Sequence, residues 1–248
     1  MAFYLTGLGL NENSLTEEAI AAIKECDKVY LENYTVNFPY NTKMLEKKIS
    51  KKIVELNREQ VEKEEFLLEA KKADIALLVY GSPLSATTHY SLINRCIMKG
   101  IKYKIIYNGS IMDAVAETGL QLYKFGKTTS MPKWITDKVD RGRKYEPDSF
   151  AEIIKDNQKI KAHTLILVDI GTDFGEAVKQ LMRVLKNNNI KTDGIIACSR
   201  LGTNESRMIC SSIEKLVKIN DIKAPFCFII PSGKKHFAEE EAIERFRI

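Results

Sequence analysis

The segment from residue 75 to residue 127 constrains the fold of this chain most. It contains two apolar runs, IALLVY (75–80) and KYKIIY (102–107), and each run stops at a small-residue turn before a helical pattern begins. The turns are GSP (81–83) and NGS (108–110). Helix N-termini and free backbone N–H groups converge beyond the carboxyl ends of strands in open α/β sheets. The sequence therefore predicts a small-molecule site built mainly from backbone groups.

Strands and helices alternate through the first half of the chain, which predicts a mostly parallel sheet covered on both faces. A capping box at residues 14–17 opens the first helix, and Asn41 and Asn57 are typical helix caps. We expect strands at 3–9, 29–33, 52–56, 75–80 and 102–107, and helices up to residue 25 and at 42–50, 58–72, 85–99 and 110–122.

The pattern changes after residue 131, where a polar stretch precedes a second α/β segment with some antiparallel pairing. We expect helices at 148–160, 173–187, 211–220 and 235–246, and strands at 164–170, 194–199, 207–209 and 226–230. The sequence thus predicts a two-domain α/β protein with a mixed sheet in its second domain. The predicted domains are residues 1–126 and 127–248, with a ligand cleft between them.

Composition narrows the class of protein. The chain has 248 residues, 44% of them hydrophobic and 29% charged, which is typical of a globular protein. Its longest apolar runs have the length of a strand, far below the roughly 20 residues of a membrane span. The chain begins without a basic segment and a longer apolar core, so we expect no secretory signal and a cytoplasmic location. The five cysteines form no CxxC motif, and we expect neither a disulfide framework nor a metal site.

The net charge is +5, and Lys and Glu alternate through most of the chain, so no nucleic-acid partner is indicated. One stretch, residues 131–147, concentrates basic residues. Two interpretations stay open for it: a solvated loop, or a docking surface for an acidic macromolecule. Its basic residues are Lys133, Lys138, Arg141, Arg143 and Lys144, and its acids are Asp137, Asp140 and Glu146.

Gly7-Leu8-Gly9 resembles the start of a dinucleotide-binding GxGxxG motif. Glu12 occupies the third glycine position, where its carboxylate would face a pyrophosphate, and the next helix starts only after Asn13. Glu32, at the end of the second strand, keeps a ribose contact open. The simpler interpretation of the glycines is a tight turn that needs a positive φ.

The segments YGSPLSATTH (80–89), NGSIMDAV (108–115) and GLQLYKFGK (119–127) resemble those of the diphthine synthases, members of the tetrapyrrole (porphyrin) methylase family. FYLTGLGLNE at the start, VYLENYT at 29–35 and HTLILVDI at 163–170 match in order as well. The resemblance covers nearly the whole chain, and IYNGSIMDAV and GLQLYKFGK are more similar to the eukaryotic than to the archaeal form.

The resemblance implies a homodimer that uses S-adenosylmethionine, with elongation factor 2 as its protein substrate and no membrane or direct nucleic-acid contact. The eukaryotic form is implied to methylate the modified histidine of that factor in diphthamide biosynthesis, three times on an amine and once on a carboxylate. The implied cofactor contacts share small or apolar side chains at strand ends: Leu10, Ser82, Ser85, Ser110, Ile111, Val168, Leu201 and Phe226.

Three features depart from the family pattern. Ser82 stands where the family has Asp, Phe226 stands where relatives often have His, and the segment after Asp169 is short. These departures leave two alternatives of the same fold open, a weakly catalytic or non-catalytic binding protein and a methylase of small tetrapyrroles.

No catalytic residue is assigned from the sequence. His89 has two interpretations, a general base or a packing residue, and Asp169 is either an orienting carboxylate or a structural acceptor. Tyr123 and Lys124 either line the substrate entrance or belong to a linker. The histidines share no spacing typical of a nucleophilic triad.

Overall fold

The structure is a computed structural model that describes the backbone of residues 1–139 and 143–248 and the side chains of residues 1–135 and 145–248. Its internal contacts divide the chain into two compact units, Met1–Ala114 and Val115–Ile248. The domain division inferred from the sequence, residues 1–126 and 127–248, stays a prediction. Within the described residues, no helix has the length and apolar character to cross a membrane.

The first unit is built on a parallel sheet of five strands in the order β3-β2-β4-β1-β5. The strands are β1 (Phe3–Gly7), β2 (Lys28–Glu32), β3 (Ile53–Leu56), β4 (Ile75–Val79) and β5 (Tyr103–Ile106). The helices are α1 (Glu17–Glu25), α2 (Lys43–Ile49), α3 (Arg58–Lys63), α4 (Tyr90–Lys99) and α5 (Ile111–Ala114), with a 3₁₀ helix at Glu65–Lys71. The predicted parallel sheet is confirmed.

Strand β4 shows why this sheet is covered on both faces. All five of its residues are buried. Ile75 and Leu77 pack into one apolar cluster with residues of α3 and α4, whereas Ala76 and Leu78 pack into another with residues of α1 and α2. Since successive side chains point to opposite faces of a sheet, a continuous apolar run is what a strand between two helical layers requires.

The connections of β1 and β4 leave the sheet in opposite directions. The chain passes from β1 across β4 to β2, and from β4 across β1 to β5. The neighbouring ends of β1 and β4 therefore form a topological switch point, which is where ligands bind in sheets of this kind.

Three predicted helices of the first unit are wrong in extent. The helix expected from Ser85 begins at Tyr90, because Ala86 adopts a positive φ of 56°. The helix expected at 58–72 breaks at Glu64, which also has a positive φ, and continues as a 3₁₀ helix. The helix expected at 110–122 ends as α5 at Ala114.

The second unit contains a mixed five-stranded sheet in the order β11-β10-β12-β9-β6, in which only the β6–β9 pair is parallel. Its strands are β6 (Thr129–Met131), β9 (Thr164–Val168), β10 (Ile195–Ser199), β11 (Arg207–Ser211) and β12 (Phe226–Ile230), and β7 (Ile135–Val139) pairs with β8 (Arg143–Tyr145) outside it. The helices are α6 (Phe150–Lys159), α7 (Phe174–Asn187), α8 (Ile213–Leu216) and α9 (Phe237–Glu244), with 3₁₀ helices at Val115–Thr118 and Leu122–Lys124. The predicted mixed sheet is confirmed.

Two expectations for the second unit are corrected. The helix expected at 211–220 is only the short α8, since residues 211 and 212 belong to or follow β11. Residues 131–147, considered as either a solvated loop or a docking surface, contain β7 and β8 and are therefore not a loop throughout, while the choice between solvation and docking stays a prediction. Arg141 lies outside the described residues, and the side chains of Lys138, Arg143 and Lys144 are also outside the description.

A buried polar network joins the first turns of the second unit to α9. The Glu239 carboxylate, which is fully buried, accepts hydrogen bonds from Lys124 (2.7 Å), from the backbone N–H groups of Gln121 and His236, and from Nε2 of His163 (3.0 Å). The other ring nitrogen of His163 accepts a hydrogen bond from the backbone N–H of Ser232 at 2.8 Å. This arrangement requires a neutral His163 with its proton on Nε2.

The ionisation of this network follows from its contacts. Burial opposes the charge on Glu239, but the hydrogen bonds from Lys124, His236, Gln121 and His163 together lower the pKa of this carboxyl to about 2. Burial lowers the pKa of His163 below its ordinary value, which matches the neutral ring that the hydrogen bonds require. Because the pKa of an unfolded Glu is about 4.3, the ionised Glu239 stabilises the folded state above that pH.

We expect Glu239→Gln to lower the free energy of unfolding by about 2–4 kcal/mol at pH 7, because an amide cannot accept all of these hydrogen bonds and Lys124 loses its partner. The difference from the native chain should shrink as the pH falls from about 4.3 towards 2, because this carboxyl takes up a proton in the unfolded chain over that range while the folded carboxyl, with its pKa of about 2, stays ionised. Urea unfolding of the native chain and the variant across that pH range measures this difference in the free energy of unfolding. Glu240→Gln, an exposed change on the same helix, is the control. Equal loss of stability in both variants would contradict the role given to the network.

Candidate functional site

Three turns meet at the carboxyl edge of the first sheet, and we call residues 7–10, 81–85 and 108–111 the three-turn site. They follow β1, β4 and β5 respectively. The sequence predicted that the turns after β4 and β5 open onto one site, and the structure adds that β1 lies between these two strands. The glycine turn after β1 therefore sits in the middle of the site.

Gly9 and Gly81 join two of the turns through a pair of backbone hydrogen bonds. The N–H of Gly9 donates to the carbonyl of Gly81 at 3.1 Å, and the N–H of Gly81 donates to the carbonyl of Gly9 at 3.0 Å. Both residues adopt left-handed backbone, with φ of +70° and +75°. The interpretation of Gly9 as a turn with positive φ thus agrees with the structure, and these glycines give the turns their conformation.

The turns approach so closely that side chains cannot be added. A Cβ atom on Gly7 would lie 2.7 Å from the carbonyl oxygen of Gly81, and one on Gly9 would lie 2.3 Å from Cβ of Ser14. The side-chain amide of Asn108, in the third turn, donates to the carbonyls of Gly7 (3.2 Å) and Ser14 (2.9 Å). Asn108 therefore fastens the third turn to the first.

Several backbone N–H groups of the three-turn site remain available to a ligand. Those of Leu10, Ser82 and Ile111 donate to no acceptor within the described part of the chain. A backbone N–H without a partner in a folded protein is normally satisfied by water or by a bound molecule. The site can thus bind acceptor atoms of a small molecule without using side chains.

Two predicted site residues also have local structural contacts. Ser110 is buried, and its N–H and hydroxyl both donate to the Asp113 carboxylate, at 2.9 and 3.0 Å. Ser85, half-buried, donates its N–H to the carbonyl of Ser82 at 3.1 Å. The structure thus brings together all five residues proposed from the first unit, namely Leu10, Ser82, Ser85, Ser110 and Ile111.

Tyr80 is a contributor that the sequence analysis did not identify. Its hydroxyl donates to the carbonyl of Leu10 at 2.8 Å, and its ring packs edge-on against Phe38 with centroids 5.3 Å apart. Because Tyr80 directly precedes Gly81, it couples the first two turns. The only sequence signal for it is an aromatic residue between a buried strand and a glycine turn.

Glu32 and His89, two residues weighed for chemistry, are both enclosed. Glu32 is 1% exposed, and its carboxylate accepts hydrogen bonds from the backbone N–H and the hydroxyl of Thr35 at 2.8 and 2.9 Å. His89 is 2% exposed, and its Nδ1 lies 3.3 Å from the carbonyl of Pro83. Burial lowers the pKa of His89, although the charge of Glu32 opposes this. The burial and the contact of His89 favour its interpretation as a packing residue over that as a general base. The buried Glu32 carboxylate is already bound to Thr35, so it is not placed to bind a ribose.

In the second unit, the remaining predicted residues gather at one edge of the mixed sheet. Val168 ends β9, Phe226 begins β12, and Leu201 follows β10 by two residues. Phe226 lies opposite Ser199 in the antiparallel register, one residue beyond the Cys227–Leu167 pair. Phe226 also packs edge-on against Phe174, with ring centroids 5.3 Å apart. Val168 and Phe226 are half-buried and Leu201 is buried, so the first two side chains give this edge its apolar surface.

Three other candidates have structural contacts of their own. Asp169 accepts a hydrogen bond from the N–H of Ile170 at 3.0 Å, and Lys124 is bound to Glu239. Tyr123 lies in a 3₁₀ helix and is 84% exposed. Among the described side chains, those of residues 1–135 and 145–248, no group of three His, Cys, Asp or Glu residues is placed to hold a metal ion.

Comparison with known proteins shows the family to which this chain belongs. The model of the family Tetrapyrrole (Corrin/Porphyrin) Methylases matches residues 2–217. The chain belongs to this family. Within it, the chain is 31% identical to the diphthine methyl ester synthase of Bos taurus, in an alignment that covers 99% of this chain and 95% of the relative.

The chain is also similar to an archaeal diphthine synthase and to a solved structure of a diphthine synthase. The chain is 38% identical to the diphthine synthase of Methanocaldococcus jannaschii, over 97% of this chain and 96% of the relative. A crystal structure of diphthine synthase superposes with a TM-score of 0.89 at 30% identity, covering 100% of this chain and 96% of that one. Identity is thus higher to the archaeal than to the bovine relative, and the eukaryotic type inferred from short motifs stays a prediction.

We expect this family member to tolerate alanine at Gly109 but not at Gly9. Alanine at Gly9 meets Ser14 and must hold a positive φ, so Gly9→Ala should lower the free energy of unfolding by about 1–3 kcal/mol or more. Gly109 has no atom within 4 Å of an added Cβ and no positive φ, so Gly109→Ala should change the free energy of unfolding by less than about 0.5 kcal/mol. Urea unfolding compares the two, and equal effects would show that Gly9 is not constrained by the turn.

Proposed function

We propose that this protein is an S-adenosylmethionine-dependent methyltransferase that methylates the modified histidine of elongation factor 2 in diphthamide biosynthesis. Membership of the tetrapyrrole methylase family and identity of 31–38% to diphthine synthases over nearly the whole chain support this function. The observation that carries it in the structure is the three-turn site, with its unsatisfied backbone N–H groups at the switch point of a parallel sheet.

The residues of the first unit fit S-adenosylmethionine. The free N–H groups of Leu10, Ser82 and Ile111 can bind its carboxylate and hydroxyl oxygens. Gly7 and Gly9 let the turns pack closely against their neighbours, which fixes the backbone that carries these N–H groups. Ser85 and Ser110 add hydroxyl groups to the same turns. Because this recognition rests on backbone, the serine at position 82 is compatible with cofactor binding.

In the second unit we assign Val168, Leu201 and Phe226 to the same ligand. These side chains form the apolar edge of the mixed sheet, and an apolar surface suits the planar adenine of the cofactor. Phe226 is held by its contacts with Phe174 and Phe228, so its ring is positioned before a ligand binds. A preorganised apolar surface lowers the cost of ordering on binding.

S-adenosylmethionine, when bound, supplies a methyl group on a positively charged sulfur. The chain's own task is to orient the acceptor group and to exclude water. The enclosure of His89 and Glu32 agrees with a mechanism that needs no nucleophilic side chain. Catalysis by orientation therefore accounts for the absence of a triad pattern in the sequence.

We further propose that the enzyme is of the eukaryotic type and acts in the cytoplasm, where elongation factor 2 works. Three methyl groups then go to an amine and a fourth to a carboxylate. Transfer to a carboxylate neutralises two opposite charges. A site that excludes water should therefore accelerate the carboxylate step more than the amine steps.

We also propose that the chain forms a homodimer. Helix α4 carries Tyr90, Ile97 and Met98 at spacings of seven and eight residues, which places them on one helix face. Their side chains are 58%, 58% and 76% exposed. A protein surface with several exposed apolar residues on one face is a typical interface.

If α4 forms the interface, sedimentation equilibrium should give the mass of two chains for the native protein. Ile97→Lys with Met98→Lys should shift the protein towards monomer, because the two new lysines of each chain would be buried in the same interface as the two of its partner. Lys99→Ala, at the end of the same helix, is the control. A native monomer, or a variant that dimerises as well as the native chain, would remove the proposed interface.

We expect the purified protein to transfer methyl groups from S-adenosylmethionine to elongation factor 2 that carries the unmethylated diphthamide intermediate. Intact-protein mass spectrometry should count four transfers, and mild alkali should remove one of the four because an ester hydrolyses. Elongation factor 2 with the modified histidine replaced by Asn is the control substrate and should gain none.

Two results would alter the proposal in different ways. Three transfers that all resist alkali would retain the methyltransferase and refute the eukaryotic type. No transfer by a protein that binds S-adenosylmethionine would favour a non-catalytic binding protein, and activity on a precorrin substrate would favour a tetrapyrrole methylase.

A further inference from the structure

The second unit contains a cavity of about 510 Å³ between the segment entering β7 and one face of α7. Small-molecule and side-chain pockets in proteins typically measure about 300–1,000 Å³. Trp134 and Lys133 line it on one side, and Thr172, Lys179 and Arg183 line it on the other. Val168, Leu201 and Phe226 are not among its lining residues, so the cavity is lined by a different set of side chains from those assigned to the cofactor.

The wall formed by Trp134 is fixed by its contacts. The indole N–H donates to the carbonyl of Pro147 at 3.0 Å, and the guanidinium of Arg183 lies 5.0 Å above the ring centroid. Both terminal nitrogens of Arg183 bind the Glu146 carboxylate, at 3.1 and 2.9 Å. The charge of Arg183 is therefore neutralised, and its role in the cavity is to hold the aromatic wall.

Two lysines give the cavity its positive charge. Neither Lys133 nor Lys179 forms an ion pair with a carboxylate of the described chain, and Glu176 is the acid that lines the same cavity. The Lys133 ammonium donates one hydrogen bond, to the carbonyl of Gly171 at 2.6 Å, which leaves its other two N–H groups. The hydroxyl of Thr172, which is 7% exposed, has no hydrogen-bond partner in the described part of the chain.

We propose that this cavity binds acidic side chains of the protein substrate, an inference that rests on the function proposed above. A Glu or Asp carboxylate can pair with Lys133 and Lys179 while its aliphatic stem packs against Trp134. A phosphate is a poorer match, because phosphate recognition favours a free arginine fork and the guanidinium of Arg183 is already bound to Glu146. The excess of basic over acidic residues in the sequence 131–147 gives the same charge to the segment that continues from Lys133.

Trp134 provides a direct test, since it is the one tryptophan of the sequence and its fluorescence reports on this cavity. A blocked hexaglutamate peptide should change the fluorescence in a saturable way, and the dissociation constant should rise with salt. Lys133→Gln with Lys179→Gln should weaken peptide binding by about 3- to 10-fold, because each exposed ion pair contributes little alone. Lys186→Gln with Lys191→Gln removes the same charge from exposed positions outside the cavity and should leave binding unchanged.

The kinetic counterpart separates this inference from the proposed function. The cavity variant should raise KM for elongation factor 2 by a similar factor, while kcat and the affinity for S-adenosylmethionine stay at the native values. The inference is overturned if the peptide leaves the fluorescence unchanged, if the control variant with Lys186→Gln and Lys191→Gln weakens peptide binding as much, or if the cavity variant leaves KM for elongation factor 2 unchanged.

Tighter binding of inorganic phosphate or of an oligonucleotide than of the peptide, lost in the cavity variant, would refute an acidic protein segment as the ligand. If the native protein transfers no methyl groups, the proposed function fails, and the fluorescence titration still decides whether the cavity binds acidic peptide.

Discussion

The reciprocal hydrogen bonds between Gly9 and Gly81 are the contact on which the candidate site depends. They hold the turn after β1 against the turn after β4, and the absence of side chains lets the two backbones approach. Asn108 adds the turn after β5 through its two hydrogen bonds, and Tyr80 anchors the carbonyl of Leu10. The backbone N–H groups of Leu10, Ser82 and Ile111 have no acceptor in the described part of the chain, which indicates a site that recognises a ligand through backbone groups.

The two units hold their binding residues in different ways. In the first, the turns are rigid because the glycines and Asn108 fix them. In the second, we propose that side chains supply the contacts, since Phe226 and Val168 stand at the end of a sheet whose strands are mainly antiparallel. The buried Glu239, with His163 and Lys124, joins the start of this unit to α9.

Sequence patterns predicted the sheets well, because a short apolar run that stops at a Gly-Ser-Pro turn, such as residues 75–79, is typical of a strand buried between two helical layers. They predicted helix ends poorly. Ala86 and Glu64 take left-handed backbone that their side chains do not signal, so the helices expected at 85 and through 64 begin later or break. The grouping of Leu10, Ser82 and Ile111 followed from the family resemblance, whereas the contact of Tyr80 with Leu10 joins residues 70 apart and depends on strand order.

The central claim is that the three-turn site binds S-adenosylmethionine. Titration calorimetry of the native protein with S-adenosylmethionine, S-adenosylhomocysteine and NAD tests it most directly. We predict that both adenosyl ligands bind in a 1:1 ratio to each chain, that NAD does not bind, and that Gly9→Ala weakens both adenosyl ligands while Gly109→Ala does not. Binding of NAD alone would contradict the account and restore a dinucleotide site, and no binding of any of the three would leave the fold without the proposed activity.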